Sequence, residues 1–144
     1  MTLRARALNL LARREHSRAE LARKLAPHGE ADEIAELLDA LEREGLLSNE
    51  RYAEALATAR ASRHGSLRLK ADLRDKGVPE AVVAEVLRGA RDNDLEMART
   101  VWAKRFAGHL PVNAAERAKQ MRFLAGRGFP LEVVRRVLGG DLDD

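Results

Sequence analysis

Apolar residues recur along this chain at helical spacing, in runs broken by glycine, proline and serine. From Leu3 to about Arg14, Ala7, Leu8 and Leu11 fall on one side and predict a first helix. Ser17 follows as an N-cap with Glu20 three residues on, the spacing of a capping box, and Leu21 and Leu25 continue the apolar face. Pro27 and Gly29 stop that second helix. A third is predicted from about Glu30 to Glu44, with Ile34, Leu37, Leu38 and Leu41 on one stripe, and Gly45 ends it.

The phrase then returns twice. Ser48 opens a helix to about Arg63 with Tyr52, Leu56 and Ala59 inward, and Gly65-Ser66 breaks and recaps the chain. Leu69 and Leu73 face inward, Gly77 turns, and Pro79 starts the next helix at a position that tolerates proline. Leu95 to Phe106, Asn113 to about Gly126 and Pro130 to Leu138 complete a third set, whose longest loop is 107–112. Trp102 and Phe106 read as core, and Phe123 and Phe129 as a staple on the turn between them.

Three short segments expose the repeat: Leu25-Ala-Pro-His-Gly29, Leu73-Arg-Asp-Lys-Gly77 and Leu124-Ala-Gly-Arg-Gly128. Five residues after each glycine stands Ile34, Val82 or Val133, and nine after stands Leu38, Val86 or Val137. The expected fold is all-α, three tandem three-helix repeats with helix-turn-helix-like units at 1–47, 48–92 and 93–140 and a frayed tail at 141–144. A unit of this size is marginal alone, so stacked units forming an elongated, curved array are expected.

Composition agrees with helix. Ala (25), Leu (22) and the charged residues (49) make up two thirds of the 144 positions, while Val, Ile and Thr number 9, 1 and 3. The absence of cysteine excludes a disulfide framework, a zinc ribbon and a thiol nucleophile. No stretch approaches the roughly 18 apolar residues of a membrane helix. The N-terminus is Arg-rich and acid-free until Glu15, superficially like a transit peptide, but its pattern runs on into the repeat and reads as the first helix. A cytoplasmic protein is expected.

Charge repeats as well. Residues 1–29 hold seven cations and two anions, and 30–50 hold one and eight; the next pairs of segments, split at 78/79 and 128/129, alternate in the same sense. The first two helices of each unit are basic and the third acidic. Helix dipoles account for part of this, since His28, Lys76 and Arg127 precede the turn glycines and Glu30, Asp32 and Glu80 open third helices. They do not account for Arg68, Lys70, Arg117 and Lys119, which sit at helix starts. A basic surface facing a polyanion is the functional alternative to a merely solvated face. Operator reading by the third helix is disfavoured on electrostatic grounds, because Glu30, Asp32, Glu33, Glu36, Asp39, Glu42 and Glu44 would be repelled by phosphate.

No catalytic motif is present. His16, His28, His64 and His109 are scattered and read as exposed helix-end residues, and Gly126-Arg-Gly128 lacks the preceding strand of a phosphate loop. Tyr52 reads as core rather than as a base-stacking residue. No cofactor or metal is expected.

The stretch Leu46-Leu47-Ser48-Asn49-Glu50-Arg51-Tyr52-Ala53 resembles the lead into the middle repeat of RecX regulatory proteins, as does Arg60 to Gly65 followed by Leu69-x-x-x-Leu73-x-x-Lys76-Gly77-Val78. Phe123-Leu124-x-x-Arg127-Gly128-Phe129 is similar to their third repeat, and Ala7-x-x-Leu10-Leu11-x-x-Arg14-x-x-Ser17-x-x-Glu20-Leu21-x-x-Lys24-Leu25 to their first. Members of the family usually have acidic residues where Ser48-Asn49 stands, which weakens any role assigned there, and often Gly-Pro at Gly65-Ser66. The resemblance implies a non-enzymatic modulator of the RecA recombinase and of its filament on single-stranded DNA, one that inhibits ATPase, strand exchange and co-protease activity. A monomer with weak direct DNA binding of its own is expected. The residues expected to contact the filament are Arg60, Arg63, Arg68, Lys70, Arg74, Arg117, Lys119 and Arg122. Rival classes are a DNA-binding accessory protein acting without RecA and a helical-repeat adaptor for another protein.

Overall fold

The computed structural model describes residues 1–139; the expected tail at 141–144 lies outside the described residues. Regular structure among them is helical: α1 (Leu3–Arg13), α2 (Arg18–Leu25), a 3-10 turn (Ala26–His28), α3 (Ala31–Arg43), α4 (Asn49–Arg60), α5 (Ser66–Asp75), α6 (Glu80–Phe106), α7 (Ala114–Gly126) and α8 (Leu131–Val137).

Short polar side chains start four of the eight α-helices. Thr2 accepts from the Ala5 N–H (3.0 Å), Ser17 from Glu20 (3.1 Å), Ser48 from Arg51 (3.1 Å) and Asn113 from Glu116 (2.9 Å). Each such cap is worth about 1 kcal/mol. Glu30 and Glu33 form a reciprocal capping box at α3. The capping box expected at Ser17 is only half made, because the Glu20 carboxylate turns to Arg14 instead (2.7 and 3.1 Å).

One expected break is absent. The last helix of the second set and the first of the third are the single 27-residue α6. No proline lies between Arg88 and Met97, Gly89 meets nothing a Cβ would strike, and Asp and Asn cost only roughly 0.7 kcal/mol or less each in a helix interior. The expected boundary at 92/93 therefore falls inside a helix.

The described chain divides into two compact units, residues 1–56 with 73–83, and residues 57–72 with the chain from Ala84 onward. The first is centred on Ala7, Leu21, Leu25, Ile34, Leu38, Leu41 and Leu47. The second is centred on Ala98, Val101, Leu124, Phe129, Val133, Val134, Val137 and Leu138, flanked by Leu95, Met97, Trp102, Met121 and Phe123. Each buried leucine, valine or phenylalanine contributes roughly 1.5–3 kcal/mol. Tyr52, Leu69 and Leu73 are buried as expected, whereas Ala59 is exposed and Ala53 takes the inner position.

Each unit contains one docked corner. In the first, the corner between α1 and α2 meets the turn between α5 and α6: the Ser17 hydroxyl donates to the Lys76 carbonyl (2.6 Å) and the Arg18 N–H to Asn49 Oδ1 (2.9 Å). In the second, the corner between α4 and α5 meets the turn between α7 and α8. There the Gly65 N–H donates to the Arg127 carbonyl (2.8 Å), the Leu67 N–H to Gly128 (2.9 Å) and the Ser66 N–H to Asp94 Oδ1 (2.9 Å). The Ser66 hydroxyl also bonds Asp94, so it does not cap its own helix. Gly77 and Gly128 take the left-handed conformation (φ 70° and 91°), whereas Gly29, their counterpart in the first repeat, is extended and closes the 3-10 turn.

Candidate anion-binding surface

The acidic third helix of the first repeat does not face away from the basic helices. It folds over them: Arg18 pairs with Asp39 (2.7 Å) and with Glu42, and Arg4 with Glu44 (3.0 Å). Arg14, Lys24 and Lys76 converge on buried Glu20, and Arg51 pairs with Glu15. Burial pushes the Glu20 carboxyl up, but the Arg14 hydrogen bond and the fields of Arg14, His16 and Lys24 outweigh it and hold the group below the usual carboxylate range. Most first-unit cations are thus neutralised. Arg6 and Arg13, with Lys24, His28, Leu10 and Leu25, line an open cleft of about 310 Å³.

The second unit is different. Arg60 and Arg68 share a single carboxylate, Asp72, at 3.0 and 3.6 Å. Arg63, Arg105, Lys119, Arg122 and Arg127 have no carboxylate partner among the described residues. Arg127 instead donates to the Arg63 carbonyl (3.1 Å) and lies 5.1 Å over the Phe123 ring, which Arg105 approaches at 5.6 Å. Phe106 packs edge-on against Phe123 at 5.4 Å between centroids.

His64 sits among these arginines. Burial and the fields of Arg68, Arg60, Arg127 and Arg63 all lower its pKa, and its buried Nδ1 has no hydrogen-bond partner among the described residues. The reading of all four histidines as exposed is corrected at two. His64 is half-buried, and His16 is fully buried, with Nδ1 3.1 Å from the Arg14 carbonyl and Nε2 3.0 Å from Lys24 Nζ. No group of three metal-ligating side chains occurs among the described residues.

The eight expected contact residues do not form one set. The charges of Arg68, Arg60 and Arg63 all act on His64. Lys119 and Arg122 are exposed on α7, and Lys119 borders an open cleft of about 250 Å³ with Phe106, His109, Glu116 and Gln120. Lys70 is half-buried on α5. Arg74, on the first unit's part of α5, is held by Glu80 through two bonds (2.9 and 3.0 Å). Arg117 is corrected: it is only 8% exposed, on the inner side of α7 with Gln120 and Leu124, because position 117 lies on the stripe that faces the core.

Sequence reasoning missed Arg127, Arg105 and Asp94. Arg127 stood in the repeat, immediately before the turn glycine, where its charge was assigned to the helix dipole. Its guanidinium is used across the corner, on the Arg63 carbonyl and the Phe123 ring, rather than on its own helix end.

Models of the first, second and third three-helix domains of RecX match residues 4–43, 48–87 and 92–138. The chain is 48% identical to the regulatory protein RecX of Ralstonia nicotianae over 97% of its own length and 88% of that protein's. It is 45% identical to the regulatory protein RecX of Chromobacterium violaceum over 99% of its length and 93% of that protein's. The crystal structure of RecX from Lactobacillus salivarius superposes with a TM-score of 0.81 at 22% identity, covering 94% of this chain and 92% of that one, which shows the shared all-helical fold. With three domain models matched in order and full-length relatives near half identical, this chain belongs to the RecX family of regulatory proteins.

Proposed function

We propose that this protein binds the RecA recombinase and the RecA filament on single-stranded DNA, and lowers its ATPase, strand-exchange and co-protease activities, limiting recombination and the SOS response. The observation that carries the reading is the succession of all three RecX domains across residues 4–138. It acts as a non-enzymatic, cytoplasmic monomer. No helix among the described residues is long and apolar enough to cross a membrane. The contact surface is drawn from the second unit, where Arg60, Arg63, Arg68, Lys70, Lys119 and Arg122 lie. Arg74 is engaged by Glu80 and Arg117 is buried, so neither is assigned a contact.

The experiment is RecA ATPase on single-stranded DNA while this protein is titrated. A fall in turnover at protein levels well below RecA is expected, since bridging or end-capping a filament acts on many protomers at once. Unchanged turnover with intact filaments of RecA from the same organism would sink the reading.

The unneutralised second-unit cations favour one rival, a DNA-binding accessory role without RecA. That rival predicts steeply salt-dependent binding to naked DNA and no effect of RecA on it. An adaptor for another protein would bind its partner in a salt-tolerant way.

A further inference from the structure

The functional reading leaves open what the second unit's cations touch: phosphate on the DNA strand or carboxylates on a protein. We propose that Arg63, Arg68 and Arg127, gathered around His64, form a binding site for phosphate groups of a nucleic-acid strand, and that occupancy is coupled to proton uptake at His64. The proposal deepens the filament-binding reading and rests on it.

Four observations converge. Four guanidiniums share one imidazole's surroundings, and the neighbouring carboxylate Asp72 is already divided between Arg60 and Arg68. Arg63 and Arg68 are exposed, so a ligand can reach them. Arg127 is fixed by the Arg63 carbonyl and the Phe123 ring, so part of the site is pre-organised. Nδ1 of His64 is a buried polar atom without a partner among the described residues. A phosphate, with three or more acceptor oxygens, relieves the mutual repulsion of the arginines, matches their forked donors and turns the local field in favour of the protonated imidazole. An isolated carboxylate offers two oxygens and one charge, which fits a three-arginine cradle less well.

The coupling has a definite sign. In the free protein, burial and the charges of Arg68 from α5, Arg60 from the end of α4, Arg127 from the end of α7 and Arg63 from the corner lower the His64 pKa, and Asp72 is held between Arg60 and Arg68. A bound phosphate reverses the local field and raises the imidazole pKa. Affinity therefore falls as pH rises through the bound-state value.

The test uses the full-length protein. The pKa of His64 is read from its ring-proton NMR shift alone, with oligodeoxythymidylate, with thymidine monophosphate and with polyglutamate. The expected result is a clear rise with the oligonucleotide, a smaller one with the mononucleotide at high concentration and none with polyglutamate. A His64 pKa that does not move with the oligonucleotide overturns the proposal, and an equal rise with polyglutamate reassigns the site to an acidic protein surface. In parallel, Arg63→Gln with Arg68→Gln is expected to weaken oligonucleotide binding about tenfold and to flatten the log–log salt slope by about 0.7 per lost phosphate contact. Arg99→Gln, an exposed cation elsewhere on the unit, is expected to leave affinity within about twofold. If the double variant fails to fold, the wild-type His64 titration decides alone. RecA ATPase inhibition that persists while His64 stays unmoved would refute this site and spare the regulatory reading.

Discussion

In the first unit a helix corner docks on Lys76–Gly77; in the second the equivalent corner docks on Arg127–Gly128. At both, the residue before the glycine lends its carbonyl, to the Ser17 hydroxyl in one and the Gly65 N–H in the other. At both, a side chain from the start of the following repeat accepts an N–H at the corner, Asn49 in the first and Asp94 in the second. The materials differ. The first corner is sealed by side chains, with Ala19 beneath Gly77. The second is sealed by backbone against backbone, since a Cβ on Gly128 would lie 2.7 Å from the Arg68 nitrogen and one on Gly65 would lie 2.5 Å from the Gly128 oxygen. A joint of side chains can be repaired by mutation nearby, whereas a joint of backbone cannot.

The largest effect tests that difference. Gly128→Ala combines a left-handed residue with a clash against main chain and is expected to cost about 3 kcal/mol or more. Gly77→Ala meets only the Ala19 Cβ at 2.6 Å and is expected to cost about 2 kcal/mol. In an Ala19→Gly background, the clash part of the Gly77 penalty disappears and the conformational part remains. Denaturant unfolding of the four proteins in that cycle measures the coupling. Equal penalties in both backgrounds would show that Ala19 yields freely, and would erase the contrast between the corners.

The second comparison is between the two acceptors. Asp94→Ala leaves the Ser66 N–H and hydroxyl without their partner and is expected to cost about 2–3 kcal/mol, whereas Asn49→Ala removes one bond and costs about 1 kcal/mol. One buried carboxyl in each unit, Asp94 in the second and Glu20 in the first, responds to pH in the opposite sense. Burial pushes the Asp94 carboxyl above its ordinary value despite the Ser66 donors. Its contribution to stability is therefore complete below the unfolded aspartate value of about 3.9 and is lost as pH rises through its folded value. Glu20 is lowered, so its contribution is complete above the unfolded value of about 4.3 and is lost as pH falls through its folded value. The stability gap between wild type and Asp94→Asn should widen on acidification, and that between wild type and Glu20→Gln should narrow. Parallel pH dependences for the two variants would refute the opposition.

The helices were legible because their signals are local. Ser17, Ser48 and Asn113 cap as their positions in the pattern demand, and Ile34, Leu38 and Leu41 share the buried stripe read from their spacing. What could not be read was which repeated residue meets which. Ser66 looked like a cap for its own helix because a sequence shows the neighbour and not Asp94, 28 positions away. The break expected near Asp92-Asn93 was an inference from the repeat, and the local preference for a continuous helix prevailed. Charge misled for the same reason. Segment counts separated basic helices from an acidic one, but α3 folds its carboxylates onto Arg4 and Arg18 and leaves the surplus to the second unit. Arg117 had the right charge on the wrong side of its helix.

The smallest effect asks whether that surplus serves folding at all. Arg18 holds two carboxylates of α3 at the surface, and Arg18→Gln is expected to cost about 0.5–1 kcal/mol, a loss that shrinks in about 0.5 M salt as screening weakens the pairs it replaces. Arg63 has like-charged neighbours in Arg60, Arg68 and Arg127 around His64 and no carboxylate of its own among the described residues. Its side chain brings repulsion to the folded state, while its carbonyl, which any residue supplies, does the structural bonding to Arg127. Arg63→Gln is therefore expected to be neutral or stabilising, within about 0.5 kcal/mol, and salt should bring wild type up toward the variant rather than the reverse. Urea unfolding at low and high salt distinguishes the signs. A loss at Arg63 as large as that at Arg18 would place it in the scaffold. A gain would mean that the fold tolerates an arginine there against its own stability, as expected of a charge kept for a ligand.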